Sequence, residues 1–238
     1  MVAPMAAPCS RASWIRSPDM DLRAPVNPRH LLTWLGLGVG IAAIALQLSL
    51  SLPAYAANGK DIFGALGTFF AFYTILTNVV LVLVYLSEVT TWAWLAPLRH
   101  PVARGAMAAN IALVMLYVYF VLRHLAVLEG LWLTADNMLH YLAPILYLLW
   151  WLVSNPHGQL RWRNLPLMLV PTLVYFFYIL ARGAWVNEYP YPILAVNELG
   201  YGAVFLNAIY MTIALGGLVA IVIALDILIA RQARTNPV

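Results

Sequence analysis

Apolar residues fill six long stretches of this chain, and polar residues are confined almost wholly to the short connections between them. The stretches run over 31–52, 66–87, 103–122, 137–153, 165–182 and 202–230. Most come close to the roughly 20 residues that a helix needs to cross a bilayer. Hydrocarbon offers no water to bond the backbone, so each spanning segment must pair its own N–H and C=O groups, and helix is the expected form. The pattern predicts an all-α polytopic membrane protein: a bundle of six transmembrane helices over 31–230, preceded by an arm, 1–30, and followed by a tail, 231–238.

Basic residues alternate between the connections. The arm holds Arg11, Arg16, Arg23 and Arg29; the second loop Arg99 and Arg104; the fourth Arg161 and Arg163; the tail Arg231 and Arg234. The other loops hold Lys60, Arg123 and Arg182, one each, which completes the 13 basic residues. The positive-inside bias then predicts both termini in the cytoplasm and loops one, three and five outside. Tryptophan agrees, with Trp34, Trp92, Trp94, Trp150, Trp151 and Trp162 near predicted inner boundaries and Trp132 and Trp185 near outer ones, as in an interfacial belt.

Composition excludes soluble classes. The chain is 63% hydrophobic and 9% charged, with a mean hydropathy of +0.83, against about 25% charged in a soluble domain. The net charge of +4 sits at membrane boundaries, where insertion and anionic headgroups account for it and no nucleic-acid partner is implied. All basic residues but Lys60 are arginine, which points to a GC-rich genome and a bacterial cell (plasma) membrane. Cys9 is the one cysteine, so an intrachain disulfide is excluded and palmitoylation is the chemistry open to it. Pro4, Pro8, Pro18, Pro25 and Pro28 predict a disordered arm, within which Met20 is an alternative start. Ala54-Tyr55-Ala56 resembles a signal-peptidase site, but the apolar run before it exceeds a cleavable core of about 7–15 residues, which favours a retained first helix.

No internal repeat supports an inverted-repeat transporter. Gly36 and Gly40 at i and i+4, and Gly216 with Gly217, predict close helix packing. Pro144 and Pro171 fall inside the fourth and fifth spans and predict kinks; Pro144 is expected to free the carbonyl of His140.

Polar groups inside hydrocarbon are expensive and tend to face the bundle interior. Thr74, Thr77 and Asn78 share one face of the second span. Asp136 and His140, at i and i+4, can meet across one helical turn. Arg123 and His124 close the third span, and Glu188 precedes Tyr189-Pro190-Tyr191-Pro192 in the fifth loop. The topology gathers all of these at the outer end. If the second and fourth spans begin near Gly67 and Asn137, Thr74 lies about 10 Å and His140 about 5 Å deep. At the inner end, Asp226 is expected to pair with Arg231 or to snorkel.

This set has the composition of a hydrolytic site. Threonine is a weak nucleophile without a base; His140 is placed to take its proton, with Asp136 orienting the imidazole. Asn78 or Arg123 is a candidate donor to an oxyanion, and Thr77, His124 and Tyr191 complete the candidate substrate contacts. The depth suits a lipid ester. Competing accounts exist for each residue. Threonine in membrane helices commonly bonds its own i−4 carbonyl, asparagine fastens helices, and a histidine can be satisfied by a backbone carbonyl. Two histidines and one aspartate make a poor metal site, so no metal or other cofactor is expected. A lipid-binding or transport protein and a structural membrane subunit are the non-enzymatic alternatives.

Three segments also carry a resemblance. Phe72-Tyr73-Thr74-Ile75-Leu76-Thr77-Asn78, then Asp136, His140 and Pro144, then Tyr191-Pro192-Ile193-Leu194 resemble the androgen-induced protein family over roughly 69–207. That family comprises six-helix intramembrane threonine hydrolases of animals and many bacterial relatives. The resemblance implies Thr74 as nucleophile, His140 as the catalytic histidine, and fatty acyl esters as the substrate class. The animal enzymes have two neighbouring histidines where this chain has His140 alone.

Overall fold

The computed structural model describes residues 27–125 and 127–235; the arm's Cys9, Met20, Arg11, Arg16 and Arg23 lie outside them. The described residues contain no strand. Five stretches are long and apolar enough to cross a membrane, and a bent pair of helices is the sixth candidate. The chain is an all-α polytopic bundle.

The elements in order are α1 (Pro28–Ala57), α2 (Ile62–Phe69), α3 (Tyr73–Val89), α4 (Pro101–Phe120), α5 (Gly130–Asn137), α6 (Ala143–Ser154), α7 (Leu165–Val186) and α8 (Val196–Thr235). A π-helical turn, Met138–Leu142, fuses α5 to α6. The predicted second span is broken: α2 and α3 meet at 79°. The fourth begins at Gly130, about two turns before its predicted start. Ala54-Tyr55-Ala56 is helical, in the last turns of α1.

α4 occupies the middle of the bundle and packs against α3, α6, α7 and α8, while α1 covers α3 and α6 on one side. Gly105, Ala106, Ala108 and Ala109 give α4 small buried positions all round, which lets neighbouring backbones approach. The main core joins Tyr85, Tyr147 and Trp150, whose rings meet at 5.3–5.7 Å, to aliphatic side chains of α4 and α8. Trp150 and Trp151 are therefore core residues (0% and 2% exposed), not members of the interfacial belt. The Trp150 indole donates to Thr33 Oγ1 at 2.9 Å. Trp34, Trp92, Trp94, Trp162 and Trp185 are exposed, as a belt requires.

Charge gathers at the arginine-rich end. Glu88 bridges the guanidinium groups of Arg29 and Arg104, and Arg104 also donates to Asn155 Oδ1 at 3.0 Å. Asp226 does not pair with Arg231. It is buried and accepts the N–H groups of Gly158 and Leu160 at 2.9 and 2.8 Å, with His157 Nδ1 at 3.1 Å. The loop from α6 to α7 is thereby tied to α8, and charge-assisted bonds of this kind are about twice as strong as neutral ones.

The glycines divide. A Cβ on Gly36 would fall 2.1 Å from Tyr85 Cζ, and one on Gly40 2.6 Å from Val82 Cγ2. Both are notches for a neighbour. Gly38, Gly216 and Gly217 face nothing within 4 Å, so the packing expected of the last two is absent. Gly36→Ala should destabilise the bundle by about 1–3 kcal/mol through overpacking, with Gly38→Ala near neutral. Thermal melts of the two purified variants check this contrast; equal losses would remove Gly36 from its role as a notch.

Candidate active site

Two interruptions of regular helix build this end of the molecule. The first is the corner between α2 and α3. Asp61 caps α2 by accepting the Gly64 N–H at 2.7 Å, and the helix stops at Phe69 without glycine or proline. Ala71 is buried at the bend, and its carbonyl accepts the Tyr175 hydroxyl of α7 at 2.9 Å. α3 then starts afresh at Tyr73. Thr74 therefore stands in the first turn of a helix, not in the middle of a span.

That position releases its hydroxyl. Thr77, one turn on, spends its Oγ1 on the Tyr73 carbonyl at 2.7 Å, as threonine in a helix commonly does. Thr74 has no helical carbonyl four residues back, because Phe70 lies beyond the bend. Its Oγ1 instead meets His140 Nε2 at 3.2 Å.

The second interruption positions His140. The π turn sets bonds from i+5 to i, as in Ala143 N–H to the Met138 carbonyl. In that register the N–H missing from Pro144 belongs to the carbonyl of Leu139, not of His140. Asn78 supplies the replacement, donating through Nδ2 to Leu139 O at 3.2 Å and to Thr74 O at 2.9 Å. Its amide hydrogens are used up on the backbone, so the expected oxyanion role of Asn78 is withdrawn. Asn78 instead pins the turn carrying the histidine to the turn carrying the threonine.

On the other side of the ring, Nδ1 lies 2.8 Å from Asp136 Oδ1. The contact has ion-pair distance without the alignment of a linear hydrogen bond. A proton on Nδ1, facing the carboxylate, leaves Nε2 as an acceptor toward Thr74. The Thr74 N–H points to the Tyr191 hydroxyl at 3.4 Å. Tyr191 is buried among Phe72 and Tyr117, with rings at 5.9 and 6.4 Å; burial pushes its hydroxyl above the ordinary phenol range, so it keeps its proton.

The Thr74–His140 contact lies between two cavities. On the threonine side is a small chamber of about 100 Å³, whose lining includes Thr74, Tyr117, Phe176, Tyr191 and Met211. On the histidine side is a vestibule of about 570 Å³, bordered by Arg123, Asp136, His140 and Tyr141. Val118 and Leu122 belong to both walls.

Of the remaining candidates, Arg123 lies over the Tyr119 ring at 4.8 Å and borders the vestibule. His124 is exposed on a short 3-10 turn and lines neither cavity, so it is not brought to the site; its charge was visible in sequence, its direction was not. Thr77 lines neither of these cavities. Among the described residues no three His, Cys, Asp or Glu side chains converge on a metal position. Glu188 ties the loop before Tyr191 to the α1–α2 connection and to α7, pairing with Lys60 and lying 3.5 Å from Arg182. The Lys60 hydrogen bond holds that carboxylate below its usual range.

Comparison with known proteins adds no relative: no family model, no curated protein and no solved structure matches the chain.

The proline–asparagine exchange is testable. Asn78→Leu strands a buried carbonyl and should cost about 1–3 kcal/mol. Pro144→Ala restores the backbone donor, so the double variant should recover most of that loss. A thermal double-mutant cycle reads the coupling; strict additivity would sink the assignment.

Proposed function

We propose that the protein is an intramembrane hydrolase of lipid esters, of the fatty acyl ester class. The reading is carried by one observation: the Thr74 hydroxyl lies 3.2 Å from His140 Nε2 while Asp136 flanks the other ring nitrogen at 2.8 Å. The resemblance to the androgen-induced protein family supports the same roles. We place the protein in a bacterial cell membrane with both termini cytoplasmic, so that the site underlies the outer leaflet, where ester bonds between headgroup and acyl chain lie.

In this mechanism Thr74 Oγ1 attacks the ester carbonyl carbon as His140 Nε2 takes its proton. The negative charge that develops on the carbonyl oxygen is met by the Tyr191 hydroxyl, beside the N-terminus of α3, whose free N–H groups also favour an anion. Collapse expels the alcohol, which leaves with the proton held by His140. Water, deprotonated by the same imidazole, then cleaves the acyl-threonine, releases the acid and restores the hydroxyl. Asp136 stabilises the imidazolium that forms twice in the cycle.

Arg123 at the mouth of the vestibule favours a second reading, in which the protein binds an anionic lipid without cleaving it. A lipid that stabilises the protein and is recovered unchanged would support binding over hydrolysis.

The test is labelling by a fluorophosphonate probe, with turnover of an acyl ester panel measured in parallel. Thr74→Ala and His140→Ala should each abolish both signals while the protein still inserts. Asp136→Asn should lower turnover by about 10²–10⁴-fold. Undiminished labelling in either alanine variant removes that residue from the chemistry.

A further inference from the structure

The Thr74 chamber has a neighbour on its other flank. A groove of about 360 Å³ runs along the perimeter of the bundle between α3, α4 and α7, bounded by Leu76, Val80, Met107, Pro171 and Val174. Pro171, Val174 and Tyr178 on its rim are exposed, and on a membrane bundle that perimeter meets lipid chains. Groove and chamber have two lining residues in common, Tyr73 and Tyr175. Those two rings, 4.7 Å apart, are the partition between them.

Each ring is held by its hydroxyl. Tyr175 donates to the Ala71 carbonyl at the helix corner. Tyr73 donates to Asn110 Oδ1 and lies 2.7 Å from Thr172 Oγ1, which bonds the same amide oxygen. Asn110 is oriented in turn by donating to the Ala106 carbonyl at 2.6 Å. A polar cluster drawn from α3, α4 and α7 thus fixes one phenol ring across an otherwise apolar passage. The cluster fastens the three helices, and it also places the ring it holds between the chamber beside Thr74 and the groove.

We infer that Tyr73 is the end-stop of the acyl chamber and sets the length of hydrocarbon chain that the site accepts. The inference rests on the hydrolase reading for the identity of the chain, and on geometry alone for the partition. A chain lying with its carbonyl at Thr74 runs into the apolar chamber and is halted by the Tyr73 ring. Without the Tyr73 ring only Tyr175 stands between chamber and groove, and a longer chain passes beside it toward the lipid.

Binding separates the two readings. Straight-chain saturated fatty acids of increasing length are titrated against the amphipol-solubilised protein, with affinity taken from the shift in melting temperature. In the native protein affinity should rise about fourfold per methylene and then stop at a limiting length. In Tyr73→Ala the rise should continue past that limit at the same factor, and Val174→Trp, which fills the groove, should cancel the gain in the double variant. Tyr73→Leu carries the same prediction if the alanine variant fails to insert. An unmoved limit in Tyr73→Ala or Tyr73→Leu, or no binding of any chain to the native protein, overturns the inference. A shifted limit with no ester cleaved by any form leaves the partition standing and removes the hydrolase reading. Thr74-dependent cleavage with an unmoved limit does the reverse.

Discussion

Every backbone polar group within hydrocarbon must find a partner inside the protein, and the site is assembled from the places where helices fail to provide one. The bend at Ala71 leaves a carbonyl that Tyr175 satisfies from α7. Pro144 leaves one at Leu139 that Asn78 satisfies from α3. The start of α3 leaves N–H groups, of which Thr74's is met by Tyr191 from the loop before α8. Each repair is a side chain reaching from another element, so each also fixes the separation of two elements. The distance between threonine and histidine is set by these repairs more than by apolar packing, which is non-directional.

The two ends of the bundle use polar groups differently. At the arginine-rich end, Arg29, Glu88, Arg104 and Asn155 share charge-assisted bonds, and Asp226 is saturated by backbone donors. These networks fasten α1, α3 and α4, and the α6–α7 loop to α8, although Arg104 Nε and the Ser154 hydroxyl stay buried without a partner. At the other end Glu188 is likewise paired, with Lys60 and Arg182, but a hydroxyl and an imidazole face each other and cavities lie on both sides. Paired charges at both ends around one facing hydroxyl and imidazole are the arrangement expected of a scaffold that holds a site.

Much of this was legible in the chain. Apolar run lengths gave the helices, and i, i+4 spacing paired Asp136 with His140 and grouped Thr74 with Asn78. The break in the second span was not legible, because neither glycine nor proline marks it; an aromatic run, 69–73, stands there, and the partner that stabilises the bend comes from a hundred residues away. Asp61 was the local sign of an earlier helix start. Trp150 and Trp151 were assigned to the interface by position along the span, yet the indole of Trp150 has a buried partner in Thr33 that only tertiary structure supplies. Asp226 was matched to the nearest arginine in sequence, whereas a loop 66–69 residues away holds it. The Asn78 amide donates to backbone carbonyls, and the π register that leaves the Leu139 carbonyl without a helical donor has no signature in the sequence.

The broken span also explains why the Thr74 hydroxyl is not bonded to its own helix. In an unbroken helix its hydroxyl has a carbonyl within reach one turn back, and that bond both occupies the oxygen and turns it toward its own backbone; Thr33, Thr77, Thr90 and Thr212 all take that course. A threonine standing where the preceding turn is missing is freed from that bond. The first turn after a sharp bend meets that condition and adds unpaired N–H groups beside the hydroxyl, where an anion would form. Thr74 has both features because the chain turns by 79° just before it, and Thr77, three residues further on with the same side chain, has neither.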